Sequence, residues 1–160
     1  MPRIIRGGTG IVLLVFTPAS ISRQLLARAA RKQGAKRVTF EGPCLVCTPH
    51  NSRIESGLAD IVGADNIAIA EQVSRHFSDV IGAIAETGIK IILPGEKFYI
   101  KVILAAKVSD YVERDVEFAS TGMLVEKLAE ISALPARNQH EADRVIVAVV
   151  GRKWAYVCAR

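Results

Sequence analysis

Cys44 and Cys47 form the one C-x-x-C pair in the sequence and are the first candidates for chemistry. Two thiols at this spacing can bind zinc or exchange disulfides. A structural zinc site needs four ligands, however, and the nearest histidine, His50, supplies at most a third. Both cysteines lie in an apolar stretch typical of a buried strand. We therefore interpret them as small core residues and expect no metal, while a redox role stays open.

A glycine-rich segment, residues 6–10, could bind phosphate through backbone N–H groups. A dinucleotide-binding loop follows a strand and opens a helix, and a P-loop ends in Lys followed by Ser or Thr. Residues 6–10 have neither context. We interpret the segment as a flexible entry to the first strand.

Histidines and acidic pairs give no recognisable catalytic arrangement in the sequence. His50, His76 and His140 are widely spaced and lie in no triad-like context. Asp110 and Asp115, on either side of an acidic neighbour, fit a helix entrance, where carboxylates favour the positive end of the helix dipole. We therefore predict that the chain is not an enzyme and uses no cofactor.

Positive charge is concentrated at the start of the chain. Residues 1–40 carry eight Lys or Arg and none of the 16 acidic residues, within a net charge of +5. Such asymmetry is the usual electrostatic footprint for a phosphate backbone. A merely solubilising face is the alternative interpretation.

A second basic cluster lies at the end of the chain, where Arg152, Lys153 and Arg160 flank the only tryptophan, Trp154. Cations beside an indole at an exposed turn can contact phosphate and stack on a base. The alternative is that Trp154 caps the core. Together the two clusters and the lysines between them predict these RNA-contacting residues: Arg23, Arg28, Arg31, Lys32, Lys36, Arg37, Lys101, Lys107, Arg152, Lys153 and Trp154.

Hydrophobic periodicity predicts the elements that position these residues. Strands are predicted over residues 11–16, 66–73, 97–104, 144–150 and 154–158, with a hairpin-like or bent strand over 38–48 that Gly42-Pro43 interrupts. Helices are predicted over 21–33, 52–62, 77–86 and 115–131. Ser20 is the expected N-cap of the first helix, Ser52 opens a capping box for the second, and Gly88 ends the third. The packing face of the first helix is expected to contain Ile21, Leu25, Leu26 and Ala29.

The order of these elements predicts an α+β protein with two lobes. Residues 1–73 run strand, helix, strand, helix, strand, which is typical of a ferredoxin-like lobe. Residues 74–160 form a second α/β lobe that ends in a hairpin. No apolar run approaches the roughly 18 residues of a membrane span, and three cysteines make no disulfide framework. We therefore predict a soluble protein of the cytoplasm, without membrane partners.

The second lobe resembles a THUMP domain, the RNA-binding module of thiouridine synthases, tRNA methyltransferases and pseudouridine synthases. The resemblance lies in K-F-Y-I-K-V at 97–102, in the acidic-apolar helix start and glycine of 115–125, and above all in the hairpin of 142–157. The first lobe is similar, chiefly over 51–72, to the ferredoxin-like domain that precedes THUMP in the tRNA 4-thiouridine synthase family. The resemblance implies a tRNA-binding unit in which both lobes contact the acceptor region.

Two departures from that family qualify the expected function. Residues 103–106 are apolar where the family carries a basic pair, which leaves only Lys107. No S-G-G-x-D-S pyrophosphatase loop occurs, so adenylation is not expected in this chain. The leading hypothesis is a module that binds structured RNA, tRNA above all, and presents it to a separate modification enzyme such as an ATP-pyrophosphatase in tRNA thiolation.

The sequence leaves two alternatives open. The chain could be an essential subunit of a split tRNA 4-thiouridine synthase, with its ATP-using partner encoded separately. It could also be a small-molecule regulatory or oligomerisation domain, because ferredoxin-like lobes serve many unrelated functions.

Overall fold

One eight-stranded mixed sheet runs through the protein. The computed structural model describes residues 10–160, so the glycine-segment prediction for residues 6–9 lies outside the described residues. In chain order the elements are β1 (Gly10–Phe16), α1 (Arg23–Lys32), β2 (Arg37–Glu41), β3 (Cys44–Thr48), α2 (Ser52–Val62), β4 (Ile67–Ser74), α3 (Phe77–Ile91), β5 (Lys97–Leu104), α4 (Glu113–Lys127), β6 (Leu134–Pro135), β7 (Arg144–Val150) and β8 (Trp154–Ala159). The predicted α+β class is confirmed.

The strand order in the sheet is β2-β3-β1-β4-β8-β7-β5-β6. β5 pairs in parallel with β6 and β7, and the other ladders are antiparallel. β4 pairs with β1 on one side and with β8 on the other, where Ser74 lies opposite Trp154. The two halves of the chain therefore share one sheet, and the division between residues 73 and 74 stays a prediction.

Two helix starts differ from the prediction. α1 begins after Ser22, whose Oγ accepts a bond from the Leu25 N–H at 3.3 Å, and not after Ser20. α2 is capped by Asn51, whose Oδ1 accepts from the Ile54 N–H at 2.9 Å, so Ser52 is the first helical residue and not the cap. Ser and Asn are both strong N-caps, and sequence alone does not choose between neighbouring candidates.

Gly88 does not end α3, which continues to Ile91. The glycine is a packing residue instead: a Cβ there would lie 2.7 Å from Leu124 Cδ2 and 3.2 Å from Ile146 Cδ1. α4 also differs, because it spans 113–127 and is followed by a 3-10 turn at Ala129–Ile131, whereas one helix over 115–131 was predicted.

All four helices pack on one face of the sheet. Along β7, Ile146, Ala148 and Val150 belong to the core under α3 and α4, whereas Val145, Val147 and Val149 face the opposite way. Because successive strand residues alternate faces, this all-apolar strand is buried on both sides. Among the described residues, the core on the opposite face has no member from α1 to α4.

The helix-free face is concave, because the sheet curves strongly towards it. Three strands separate β2 from β8, which would place them about 19 Å apart in a flat sheet. Nevertheless Glu41, at the end of β2, accepts a bond from Arg152, at the turn before β8, at 3.3 Å. Gly42 also lies so close to Ala105 that a Cβ would come within 2.9 Å of the Ala105 Cβ. The curvature buries the concave face without a helix layer.

None of the helices within residues 10–160 combines the length and the apolar character that crossing a membrane requires.

Gly88→Ala tests the close packing of α3 on α4. The added methyl meets Leu124, and overpacking typically costs about 1–3 kcal/mol, while a better helix propensity returns up to about 1 kcal/mol. We expect a lower free energy of unfolding in urea, followed by circular dichroism. Gly82→Ala is the matched control on the same helix, because a methyl added there would meet no atom within 4 Å apart from its chain neighbours and the backbone of its own helix, and it should be stabilising. Equal stabilisation by both changes would contradict the packing role.

Candidate nucleic-acid interface

The exposed face of α1 carries three of the predicted RNA contacts. Leu26, Ala27 and Ala30 are buried against the sheet, which turns Arg28, Arg31 and Lys32 towards solvent. No carboxylate of residues 10–160 forms a salt bridge with these three cations. Their charge is therefore available to an anionic ligand.

The predicted packing face of α1 is correct for Leu26, which is buried, and for Ile21 and Ala29, which pack against the same core, but not for Leu25. Leu25 is 50% exposed, whereas Ala27 and Ala30 are buried. The small alanines allow close approach of the helix to the sheet, so Ala27 and Ala30 take the place of Leu25 in the buried stripe. The change leaves the positions of the outward cations intact.

Arg23 differs from the other cations of α1. Its Nη2 donates to the Gly42 carbonyl at 2.9 Å, and its guanidinium lies 4.5 Å from the centroid of the Phe40 ring. These contacts tie α1 to the β2–β3 hairpin. Contact between Arg23 and RNA stays a prediction.

A groove of about 770 Å³ lies on the concave face. Arg37 enters it from the edge strand β2, and the β7–β8 turn contributes Arg152 and Lys153. Trp154 and Tyr156 form part of its wall. The structure thus brings together four of the predicted contact residues, while Arg28, Arg31 and Lys32 lie on the helical face.

Trp154 is half-buried and has two kinds of surroundings. Its indole packs against the core of the concave face, as the alternative interpretation held, and also lines the groove, while stacking on a base stays a prediction. Tyr156 beside it is buried, and burial, with a smaller effect of the Glu41 charge, raises the pKa of its phenol to about 12. Tyr156 is therefore uncharged at neutral pH.

Glu41 is a buried acid that sequence reasoning missed. Its side chain is 7% exposed and accepts from the backbone N–H and from Nε of Arg152, both at 3.3 Å. Gly151 makes this possible, because a Cβ there would lie 2.5 Å from the Glu41 carboxylate. The partners are 111 residues apart in sequence, so no local pattern indicates the pair.

Lys36, Lys101 and Lys107 lie outside the groove lining. Lys36 directly precedes β2 and is exposed, next to Arg37 at the sheet edge. Lys101 is exposed on β5 opposite Val147, on the concave side, and Lys107 is exposed after β5. Their contact with RNA stays a prediction.

Two further arginines have positions that the sequence did not indicate. Arg53 on α2 donates through Nε to Gln33 Oε1 at 3.3 Å and so extends the basic surface beyond the end of α1. Arg75, between β4 and α3, donates to the carbonyls of Arg152 and Lys107 at 2.6 and 2.9 Å. Arg75 thereby fixes two loops that carry predicted contacts.

The C-x-x-C pair is divided between the two faces of β3. Cys44 belongs to the core of the concave face, and Cys47 to the core beneath α1 and α2. Burial raises the pKa of each thiol to about 12, as it does for Cys158. Both are buried core residues, as predicted, and within residues 10–160 no three potential ligands gather as a metal site.

Comparison with solved structures identifies the fold. The chain is similar to a 4-thiouridine synthetase solved as an RNA complex with bound ATP (TM-score 0.67, 16% identity, covering 94% of this chain and 41% of that one). It is also similar to PH1313 from Pyrococcus horikoshii Ot3 (TM-score 0.63, 11% identity, 94% and 54%). A protein described as a predicted N6-adenine-specific DNA methylase from Listeria monocytogenes str. 4b F2365 also matches (TM-score 0.55, 10% identity, 98% and 41%).

These similarities show that the chain has a THUMP-like fold, which confirms the resemblance inferred from the sequence. No family model matches the sequence. No curated protein matches it either. The chain spans about half or less of the length of the structures that it resembles.

The firm prediction that the chain is not an enzyme is wrong, because proteins described as methylases contain the same fold. The same fold forms part of chains described as a methylase, and of SMU.472, which was solved in complex with SAH. A fold found within such chains is compatible with an enzyme. The prediction was based on the lack of a recognisable catalytic arrangement in these 160 residues. That observation does not exclude an enzyme, because one fold can serve many functions.

The buried thiols give a test of the pKa shifts. A pKa near 12 in place of 9.0 lowers the thiolate fraction at pH 8 about a thousandfold, because each pH unit is a factor of ten. We expect alkylation of the native protein to be slower than that of the urea-unfolded chain by at least two orders of magnitude. Rapid native labelling of Cys44 or Cys47 would contradict the burial and support a redox role.

The same shifts fix the direction of a pH effect on stability. The folded state holds these thiols protonated more strongly than the unfolded state does, so the stabilisation is complete below pH 9 and is lost as the pH rises towards 12.

Proposed function

We propose that this chain is an RNA-binding module that binds tRNA and presents it to a catalytic domain or subunit that modifies the RNA. The proposal places it in the cytoplasm, which the three free thiols support because reducing compartments preserve them. The likeness to a synthetase solved in complex with RNA also supports it. A role in thiolation is the most specific form of the proposal.

The observation that carries this proposal is the arrangement of cations around the edge strand β2. Arg28, Arg31 and Lys32 lie on the helical face. Lys36 directly precedes β2 and Arg37 begins it, and the groove opens on the concave face. Cations on a helix face can contact the phosphates of an A-form stem, which proteins recognise largely by shape. The groove is too small for a duplex and suits an unpaired nucleotide, with cations beside an aromatic wall.

A folded RNA that offers a stem next to unpaired nucleotides matches both surfaces. The acceptor region of tRNA has this form, which is why tRNA is proposed over an unstructured strand. Because β2 joins the two surfaces, such a ligand would pass over Lys36 and Arg37.

A second candidate is that the chain is the RNA-binding part of a split tRNA 4-thiouridine synthase. A 4-thiouridine synthetase contains a region of similar fold that matches 94% of this chain, and this similarity favours the candidate. The test is reconstitution with a pyrophosphatase-loop protein encoded nearby. Thiolation that requires both chains would support this candidate, and thiolation by the partner alone would contradict it.

The triple variant Arg28→Gln, Arg31→Gln, Lys32→Gln tests the stem surface. Each phosphate contact contributes about one unit to the slope of log K against log salt concentration, so we expect tRNA affinity to fall and the slope to decrease by up to about three. Filter binding between about 50 and 200 mM salt measures both quantities.

The matched control removes the same charge from exposed cations remote from α1: Lys90→Gln, Lys127→Gln and Arg137→Gln. This control should retain most of the slope. An equal loss of affinity and salt slope in both triple variants would mean that the effect depends on net charge alone, which would contradict a specific stem surface on α1. A stable dimer that ignores RNA would overturn the proposal and favour a regulatory or oligomerisation domain.

A further inference from the structure

The turn between β7 and β8 carries the groove residues Lys153 and Trp154, and Arg75 holds it from outside the groove. Nη1 of Arg75 donates to the Arg152 carbonyl at 2.6 Å, and Nη2 donates to the Lys107 carbonyl at 2.9 Å. One planar guanidinium therefore bridges the backbone of two loops. Its fork fixes both bonds in direction as well as in length.

Arg75 is itself held in place by its neighbours. The Tyr111 hydroxyl donates to the Arg75 carbonyl at 2.6 Å, and Tyr111 is only 5% exposed. The Tyr111 ring also packs against Phe77, with centroids 5.6 Å apart. In addition, the residue before Arg75, Ser74, pairs with Trp154 in the β4–β8 ladder. The backbone that carries the Arg75 side chain is thus held in place by the fold.

Glu41 holds the same turn from the groove side. It accepts from the backbone N–H and from Nε of Arg152, so the two clamps act on opposite sides of one residue. Gly151 cannot take a side chain without displacing the Glu41 carboxylate. Both the carbonyl and the N–H of Arg152 are therefore bonded to side chains from outside the turn.

We propose that Arg75 is a positioning residue that sets the geometry in which Trp154 and Lys153 receive an unpaired nucleotide. Arg75 does not line the groove, and it acts through the backbone of Arg152. Fixing a binding loop in advance removes an ordering cost that would otherwise weaken binding. The inference rests on the proposed RNA-binding function and adds a residue to it.

Arg75→Met and Arg75→Lys test the role. Trp154 is the only tryptophan, so its fluorescence reports directly on the groove. Binding of a short single-stranded oligoribonucleotide is measured by Trp154 quenching, and binding of a blunt RNA duplex by filter retention. Arg114→Met, an exposed arginine of α4 without a bond to the turn, is the matched control.

We expect Arg75→Met to weaken single-strand binding about tenfold, to shift the Trp154 emission of the free protein, and to leave duplex binding and its salt slope unchanged. Arg75→Lys should restore part of the affinity, because an ammonium group cannot reproduce the fixed fork between two carbonyls. Arg114→Met should match the wild type. A purely structural role would lower the unfolding temperature but would not separate single-strand from duplex binding.

The inference is overturned if Arg75→Met binds the single strand as the wild type does, with unchanged emission, whatever duplex binding shows. It also fails if both ligands weaken equally. If the wild type binds neither of these ligands nor tRNA, the proposed function itself is wrong. Should Arg75→Met not fold, Arg75→Lys and Glu41→Gln, which loosens the opposite clamp, decide the question through the same selective loss.

Discussion

The curvature of the sheet is the constraint on which the rest of the structure depends. All four helices cover one face, and the opposite face still presents apolar side chains such as Val147, Val149 and Cys158. Without a second helix layer, those side chains can leave water only if the sheet bends over itself. The β4–β8 ladder makes this possible, because it joins the halves into one continuous surface. The groove is the open part of the concavity that results.

The contact between Glu41 and Arg152 closes that curve at the cost of burying a carboxylate. Removing a carboxylate from water is unfavourable unless hydrogen bonds and a counter-charge compensate. Here the Arg152 side chain remains 72% exposed, so the pair places one charge in the core wall and keeps the other in solvent. An apolar residue at position 41 would fill the space without directing the turn. The gain from Glu41 is therefore geometric: it fixes the direction in which the β7–β8 turn faces the groove.

Sequence reasoning worked where the signal was local. The apolar run of β7, Gly151 and the strand that follows predicted the terminal hairpin, and the charge pattern placed Arg28, Arg31 and Lys32 on an exposed helix face. Sequence reasoning failed where the role of a residue depends on a partner that is distant in sequence. Gly88 has the local pattern of a helix end, but Leu124, on another helix, explains the glycine. Glu41 and Arg75 bond to residues 111 and 77 positions away, so nothing near them in sequence indicates their roles.

One sheet also determines how the two basic surfaces can act together. α1 and the groove lie on opposite faces of the same curved layer, so their separation is set by the strands between them and needs no domain closure. Two weak sites at a fixed distance act as one strong site only for a ligand whose own shape spans that distance. In the proposed function, selectivity for a folded RNA then arises from geometry, without reading its base sequence. The clamped turn matters for the same reason, because a mobile Trp154 would no longer lie at a fixed distance from the cations of α1.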